Sequence, residues 1–250
     1  MSIIEYGFDK APMPRRAVVT IGSFDGVHRG HRVLLQHLKA MAARLDAESV
    51  VVTFDPHPRI AMGRAEGMQL LTTIEERARL LADAGIDRMV VAHFDEAFRS
   101  QPYEQFVRES LIGKLGMVGM IVGYNHRLGR GSEGNYSTLQ PLAEECGFEL
   151  ECVAQHTDDG GKISSTIVRD TIANGDMARA KELLGAGYML SGEMNNGRLH
   201  VADDHKMLPP AGRYMCDVEC DNATIRTEVV VDGRVVAIST PLSGLVAITF

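Results

Sequence analysis

Two histidines, His28 and His31, stand three residues apart in the stretch SFDGVHRGH. The stretch follows the apolar run AVVTIG and precedes HRVLLQHLKAMAARL, whose apolar residues keep helical spacing. The pair therefore lies where a buried strand turns into a helix. At a helix start both rings can point toward unpaired backbone N–H groups and the positive end of the helix dipole. This corner suits a polyphosphate, because imidazoles donate hydrogen bonds without a permanent charge.

A second anion-binding corner is predicted in ISSTIVR, which ends at Arg169. Its hydroxyls stand at a predicted helix start, and the arginine one turn later can reach back toward an anion. In the first corner, Gly26 and Gly30 have no Cβ that would hold a phosphate away from the backbone. A histidine pair of this spacing is by itself also typical of a solvated turn. The strand, the glycine loop and the second corner together favour a nucleoside triphosphate site.

The elements that position these corners alternate between strands and helices. The predicted strands contain AVVTIG, SVVVTF, RMVVAHF, VGMIVG and FELECVA. Three helices between them are predicted from the capping box Thr73-x-x-Glu76, from Pro102 near a first turn, and from a cap at Ser137. Alternation with near-continuous apolar strands predicts an α/β fold with a doubly wound parallel sheet. Such sheets bind ligands at the carboxyl ends of their strands, which is where SFDGVHRGH lies.

The character of the chain changes from about Tyr188 onward. Short alternating runs such as RYMCDVEC and ATIRTEVVV are separated by turn signals, which predicts a small β-barrel-like module. In MCDVEC, alternation places Cys216 and Cys220 on one strand face, and we interpret them as small apolar side chains rather than metal ligands. The predicted domains are residues 1–186 and 187–250.

Composition excludes several classes of protein. The net charge of −7 argues against a nucleic-acid partner, which usually requires a basic face. No apolar run is long enough to span a membrane, so no membrane partner is expected. The N-terminal MSIIEYGFDK lacks a basic region followed by an apolar stretch, which predicts a cytoplasmic protein with reduced thiols.

Several stretches in this order resemble the bacterial FAD synthetases, which are often bifunctional riboflavin kinase/FMN adenylyltransferases. They are TIGSFDGVHRGH, TFDPHP, LTTIEERARLLADAGID, VGYNHRLGRGSEGN, ISSTIVRDTIANGDMARAKELLG and YMLSG. Together they extend over roughly Val18 to Gly192. The resemblance implies an HxGH nucleotidyltransferase with a Rossmann-like sheet that makes FAD and pyrophosphate from FMN and ATP, with Mg²⁺ on the triphosphate.

The resemblance also implies roles for particular residues. The catalytic residues would be His28, His31 and Arg169. The ATP-binding residues would be Gly22, Ser23, Phe24, Asp25, Gly26, Gly30, Ser164, Ser165 and Thr166. The flavin-binding residues would be Asp55, His57 and Asn125. No protein ligand for a metal is expected.

The C-terminal module departs from the family pattern. A riboflavin kinase carries a GxPTAN-like stretch after a Gly-Arg, whereas here Gly197-Arg198 is followed by LHVADDHKM. We therefore expect a shortened relative of the kinase module without kinase activity. Alternative functions are a non-catalytic flavin or nucleotide sensor, a nucleotidyltransferase acting on another small phosphate ester, and a scaffold bound through the β module.

Overall fold

The computed structural model describes residues 3–8, 16–64, 66–154, 157–158, 161–221 and 223–250. The chain groups into two compact units. Unit 1 comprises Met1–Phe24, Gly30–Glu66 and Ala78–Lys162, and unit 2 comprises Asp25–Arg29, Gly67–Arg77 and Ile163–Phe250. This grouping reflects proximity in space rather than independent folding, so the domain boundary after residue 186 stays a prediction.

Unit 1 contains a six-stranded parallel sheet. Its strands are β1 (Ile3–Tyr6), β2 (Ala17–Ile21), β3 (Glu48–Asp55), β4 (Arg88–His93), β5 (Met117–Gly123) and β6 (Glu149–Val153). Their spatial order is β1-β4-β3-β2-β5-β6. The chain runs from β2 to β3 and β4 on one side and later crosses to β5 and β6 on the other. The strand order therefore reverses between β2 and β5, and α/β sheets bind ligands at such a point.

In the described part of the chain, six helices precede Ile163, which are α1 (Arg29–Arg44), α2 (Pro58–Ala61), α3 (Ile74–Asp83), α4 (Glu96–Ser100), α5 (Tyr103–Gln105) and α6 (Tyr136–Cys146). Helices α1, α3 and α6 lie in the predicted regions, whereas α2 and α4 were not predicted. A π-helical segment, Phe106–Ile112, continues α5, and a 3₁₀ turn covers Arg130–Ser132. The short strands β7 (Thr157–Asp158) and β8 (Gly161–Lys162) pair with each other. The fully buried Val19, Val52 and Met120 place the core of unit 1 against the sheet.

Three details of unit 1 differ from the sequence prediction. Strand β1 was not predicted, because it is only four residues long, lies at the edge of the sheet and buries a charged residue, Glu5, against Arg88. The helix expected from Pro102 to Gly116 is divided into α5 and the π-helical segment. The N-cap of α6 is Asn135, which forms a capping box with Thr138, so the prediction of a cap at Ser137 was wrong.

Unit 2 contains two helices and a closed antiparallel barrel. The helices are α7 (Ser165–Ala173) and α8 (Met177–Leu184). The barrel strands are β9 (Met189–Asn195), β10 (Arg198–His200), β11 (Gly212–Cys220), β12 (Ala223–Asp232), β13 (Val235–Ile238) and β14 (Gly244–Thr249). They close in the order β10-β13-β12-β11-β14-β9. Cys216 and Cys220 are buried in the barrel core beside other apolar side chains, which confirms the predicted strand face.

The α/β sheet and the C-terminal barrel together confirm the predicted fold class. Among the residues that the structure describes, no helix is both long and apolar enough to cross a bilayer.

Candidate functional site

The chain leaves β2 through a turn that is fixed to the neighbouring strand β3. Gly22 N donates to Val52 O at 3.0 Å, and Thr53 Oγ1 donates to Ser23 O at 3.1 Å. The Phe24 ring then contacts the His31 ring, with centroids 5.0 Å apart. Within unit 1, the turn therefore starts at the carboxyl end of a central strand, where a ligand site was expected. Gly30 and His31 lie in the first turn of α1.

The backbone of the turn is strained. Phe24 and Val27 have positive φ angles of 47° and 41°, although neither is a glycine. Each such conformation costs on the order of 1 kcal/mol or more and is maintained by the surrounding contacts. Gly26, with φ of 82°, has a packing reason of its own, because a Cβ there would lie 2.6 Å from Leu71 Cδ1. Its predicted role in phosphate approach stays a prediction.

Asp25 is the centre of a buried hydrogen-bond cluster in unit 2. Its Oδ1 accepts from Thr72 N at 3.0 Å and from Thr72 Oγ1 at 3.1 Å. Its Oδ2 accepts from Leu71 N at 3.1 Å and from Arg169 Nη2 at 2.5 Å. The guanidinium of Arg77 lies 3.9 Å from Oδ1. Both carboxylate oxygens are thus occupied by protein donors.

Helix α7 brings the second predicted corner to the same aspartate. Ser164 is the N-cap and accepts from Ile167 N, while Ser165 Oγ donates to the backbone oxygen of Asp25 at 2.9 Å. Arg169, one turn later, makes the ion pair with Asp25, and its buried Nε has no hydrogen-bond partner among the described residues. Thr166 is exposed. Asp25 therefore joins the two segments that the sequence marks as anion-binding.

His28 is buried in unit 2, directly before α1. Burial lowers its pKa from 6.5 to about 4, although the negative charge of Asp25 works in the opposite direction. Arg169 also lowers this pKa through its positive charge. The imidazole is consequently neutral at pH 7 and can donate a hydrogen bond from only one ring nitrogen.

The three predicted flavin-binding residues lie at the carboxyl edge of the sheet in unit 1. Asp55 ends β3 and is exposed, and His57 accepts from Arg59 N as the N-cap of α2. Asn125 lies in the turn after β5 and is exposed. Beside it, burial lowers the pKa of His126 to about 4. The structure gives these side chains positions near an expected ligand edge, and their flavin contacts stay predictions.

Sequence reasoning missed the residues that hold Asp25 in unit 2. Leu71 and Thr72 supply backbone donors, which leave no trace in residue type. Glu76 was recognised only as half of a capping box, whereas it also pairs with Lys206 at 2.6 Å. Lys206 lies in an irregular segment with no motif to mark it. Within the described part of the chain, no cluster of three or more potential metal ligands is present.

A glycine- and histidine-containing turn after a central parallel strand, bonded through Asp25 to the start of α7, is typical of nucleotide-binding α/β proteins. Comparison with known proteins agrees with this class. The sequence model of the FAD synthetase family matches residues 10–167. The chain belongs to the FAD synthetase family.

Its relatives include two bifunctional riboflavin kinase/FMN adenylyltransferases. The Escherichia coli K12 protein is 35% identical over 180 residues, a match that covers 72% of this chain and 58% of that protein. The Pseudomonas fluorescens protein is 30% identical over 241 residues, covering 89% of this chain and 77% of that protein. The chain therefore spans a little over half the length of the E. coli relative.

A solved structure from Streptococcus pneumoniae, named a macrolide-efflux protein, is also similar. It is 25% identical with a TM-score of 0.83, and the match covers 100% of this chain and 89% of that one. The similarity therefore includes both the α/β sheet and the C-terminal barrel.

Proposed function

We propose that this protein is an FMN adenylyltransferase that makes FAD and pyrophosphate from FMN and ATP. A phosphate oxygen of FMN attacks the α-phosphorus of ATP and forms a new P–O bond. The bond from the α-phosphorus to the bridging oxygen breaks, and pyrophosphate leaves with the electron pair. This transfer needs positioning and charge stabilisation and no covalent nucleophile on the protein.

The observation that carries this proposal is that the two segments predicted to bind anions meet at Asp25. The Asp25 carboxylate accepts a hydrogen bond from Arg169 Nη2, and the backbone oxygen of Asp25 accepts one from Ser165 at the start of α7. Both contacts lie within unit 2, which also contains the buried His28. Arg169 would bind the triphosphate through donors that Asp25 does not occupy. Its buried, unpartnered Nε is an orphan donor of the kind that a bound oxygen atom satisfies. Ser164, Ser165 and Thr166 would add hydroxyl groups.

His28 and His31 would donate to the triphosphate as charge shifts from the α-phosphorus to the leaving pyrophosphate. A neutral His28 is suited to this role, because a preorganised neutral donor requires no counter-charge before substrate binds. Gly22, Ser23, Phe24, Gly26 and Gly30 would shape the turn around ATP. Asp25 acts through Arg169, since both of its oxygens are occupied by protein donors.

The remaining parts of the proposal rest on the family. Asp55, His57 and Asn125 would contact FMN from the carboxyl edge of the sheet in unit 1. Mg²⁺ would accompany ATP as its phosphate complex, and we assign it no protein ligand. The barrel has the fold expected of a riboflavin kinase module, and LHVADDHKM in place of a PTAN stretch supports a module without kinase activity. We also propose a cytoplasmic location, which the N-terminal sequence MSIIEYGFDK favours.

The test is to follow FAD and pyrophosphate with FMN, ATP and Mg²⁺ and then to omit each in turn. Replacing FMN with riboflavin should give no flavin phosphate. The His28→Ala variant should lose about two to three orders of magnitude in kcat, which is the usual loss when a transition-state donor is removed. His37→Ala, at an exposed histidine of α1, is the matched control.

Wild-type protein that binds FMN and ATP without releasing pyrophosphate would favour a sensor instead. Faster turnover with phosphopantetheine or glycerol phosphate would reassign the acceptor. A loss of only a few-fold in His28→Ala would give that histidine a structural role.

A further inference from the structure

We propose that Lys206 is a positioning residue for ATP, and that the barrel module uses it to hold the nucleotide site in shape. The inference rests on the ATP site proposed above and concerns residues of unit 2 alone. It gives the barrel a function that does not require riboflavin kinase activity.

Lys206 is fully buried, and all three of its N–H groups are used. Nζ donates to Leu71 O at 2.6 Å, to Glu76 Oε2 at 2.6 Å and to Met189 O at 2.9 Å. The ammonium group also lies 4.4 Å from the centre of the Tyr188 ring. An ammonium with three donors and three acceptors has a fixed position. Lys206 thus ties the first residue of β9 to the segment that carries Leu71.

Glu76 also connects strand β9 to the segment that contains Leu71. Its Oε1 accepts from Ser191 N at 2.7 Å, while its Oε2 accepts from Thr73 N at 3.1 Å as well as from Lys206. The backbone adds two more links, from Leu70 N to His205 O and from Met207 N to Leu70 O. Residues 70–73 are therefore held along their length by the start of β9 and by residues 205–207.

Leu71 is the point where this network reaches the nucleotide site. Its carbonyl oxygen accepts from Lys206, and its N–H donates to the Asp25 carboxylate. The next N–H, that of Thr72, donates to the other Asp25 oxygen. Asp25 in turn fixes the guanidinium of Arg169. Removing the Lys206 contact would leave the Leu71 carbonyl without this donor and loosen the two amides that orient Asp25, so Arg169 would be held less firmly for a phosphate.

A merely structural lysine would affect the amount of folded protein and not its affinity for ATP. The informative comparison uses two variants, because Lys206→Met alone would leave Glu76 charged, buried and unpaired. Glu76→Gln removes the negative charge, but its amide oxygen can still accept from the Lys206 ammonium, which also keeps its bonds to Leu71 and Met189. The double variant Lys206→Met/Glu76→Gln also removes those bonds and buries no unpaired charge. Lys181→Met, at an exposed lysine of α8, is the control for a lysine substitution.

Binding is measured by calorimetric titration of each folded variant with ATP and Mg²⁺ and, separately, with FMN. We expect the double variant to bind ATP about tenfold more weakly than Glu76→Gln, with FMN affinity within twofold. ATP affinity equal to that of Glu76→Gln would overturn the proposal. Wild-type protein that binds ATP and forms no FAD would refute the proposed reaction and leave this inference standing.

A second measurement uses only the wild-type protein, so it holds even if the double variant does not fold. Coupling between two sites is reciprocal, so a segment that positions ATP must itself be stabilised by ATP. Saturating ATP should slow amide hydrogen exchange at Leu71 and Thr72 by about tenfold, with little change along β12. Exchange at these two amides that does not respond to bound ATP would contradict the proposal.

Discussion

The Asp25→Asn substitution tests the central contact of the proposed site with almost no change in shape. The carboxamide replaces one oxygen by an NH₂ group, so a donor would face Arg169 Nη2 and Leu71 N or, if flipped, Thr72 N. Arg169 would lose its ion-pair partner at a position where its side chain is only 15% exposed. Removing one partner of a buried pair costs about 3–5 kcal/mol, and partial exposure of Arg169 favours the lower end of that range.

We therefore expect the free energy of unfolding of Asp25→Asn to fall by about 3 kcal/mol in urea at pH 7, which a typical domain survives. The folded variant should also show a KM for ATP at least tenfold higher, because Arg169 is no longer oriented. Asp170→Asn is the control, since Asp170 is the exposed neighbour of Arg169 on α7. A fall of less than about 1 kcal/mol, with KM for ATP unchanged, would refute the reasoning.

Two further predictions follow from burial and backbone conformation. His126 has a pKa of about 4 in the folded state against 6.5 when unfolded, so the unfolded chain binds more protons between these values and stability falls as pH falls through them. His126→Phe removes this dependence. The free energy of unfolding of the variant minus that of the wild type should therefore be roughly 2 kcal/mol larger at pH 5 than at pH 8. Gly26→Ala should lower the free energy of unfolding by about 2–4 kcal/mol, because the new Cβ would strain the backbone and overlap with Leu71. The control is Gly63→Ala, where φ is 63° and, among the described residues beyond its chain neighbours, no heavy atom lies within 4 Å of the new Cβ. This variant should lose only about 1 kcal/mol in the same urea titrations.

Much of the fold was predictable because it depends on local patterns. The apolar runs that form β2 to β5 are largely buried strands, whereas β6 is a more exposed edge strand. The helix start at Ser164 and the capping box of Thr73 and Glu76 lie where the sequence predicts them. The closed barrel follows from alternation and turn residues. In contrast, β1 depends on an ion pair between Glu5 and Arg88, which are far apart in sequence.

For the candidate site, the sequence suggests residue types and not the connections between them. Motifs point to Asp25, His28, Ser165 and Arg169, but they assign Asp25 to ATP, whereas the structure directs its carboxylate toward protein donors. Two of those donors are the backbone amides of Leu71 and Thr72, and any residue other than proline supplies an amide. Lys206 had no detectable signal, because its role depends on three acceptors brought together by the fold.

The strained backbone of the turn requires stabilising contacts, and several residues of unit 2 form hydrogen bonds with Asp25 in that turn. A buried β-branched residue such as Val27, at φ of 41°, persists only where neighbouring contacts outweigh the strain. The hydrogen bonds from Leu71, Thr72, Ser165 and Arg169 are those contacts. Because they form within the protein, the donors of the proposed site are oriented before any substrate arrives, and binding of the proposed ATP would not have to order them. Strain in the turn, burial of His28 and anchoring by Lys206 are therefore parts of one arrangement, which suits the preorganised anion site proposed above.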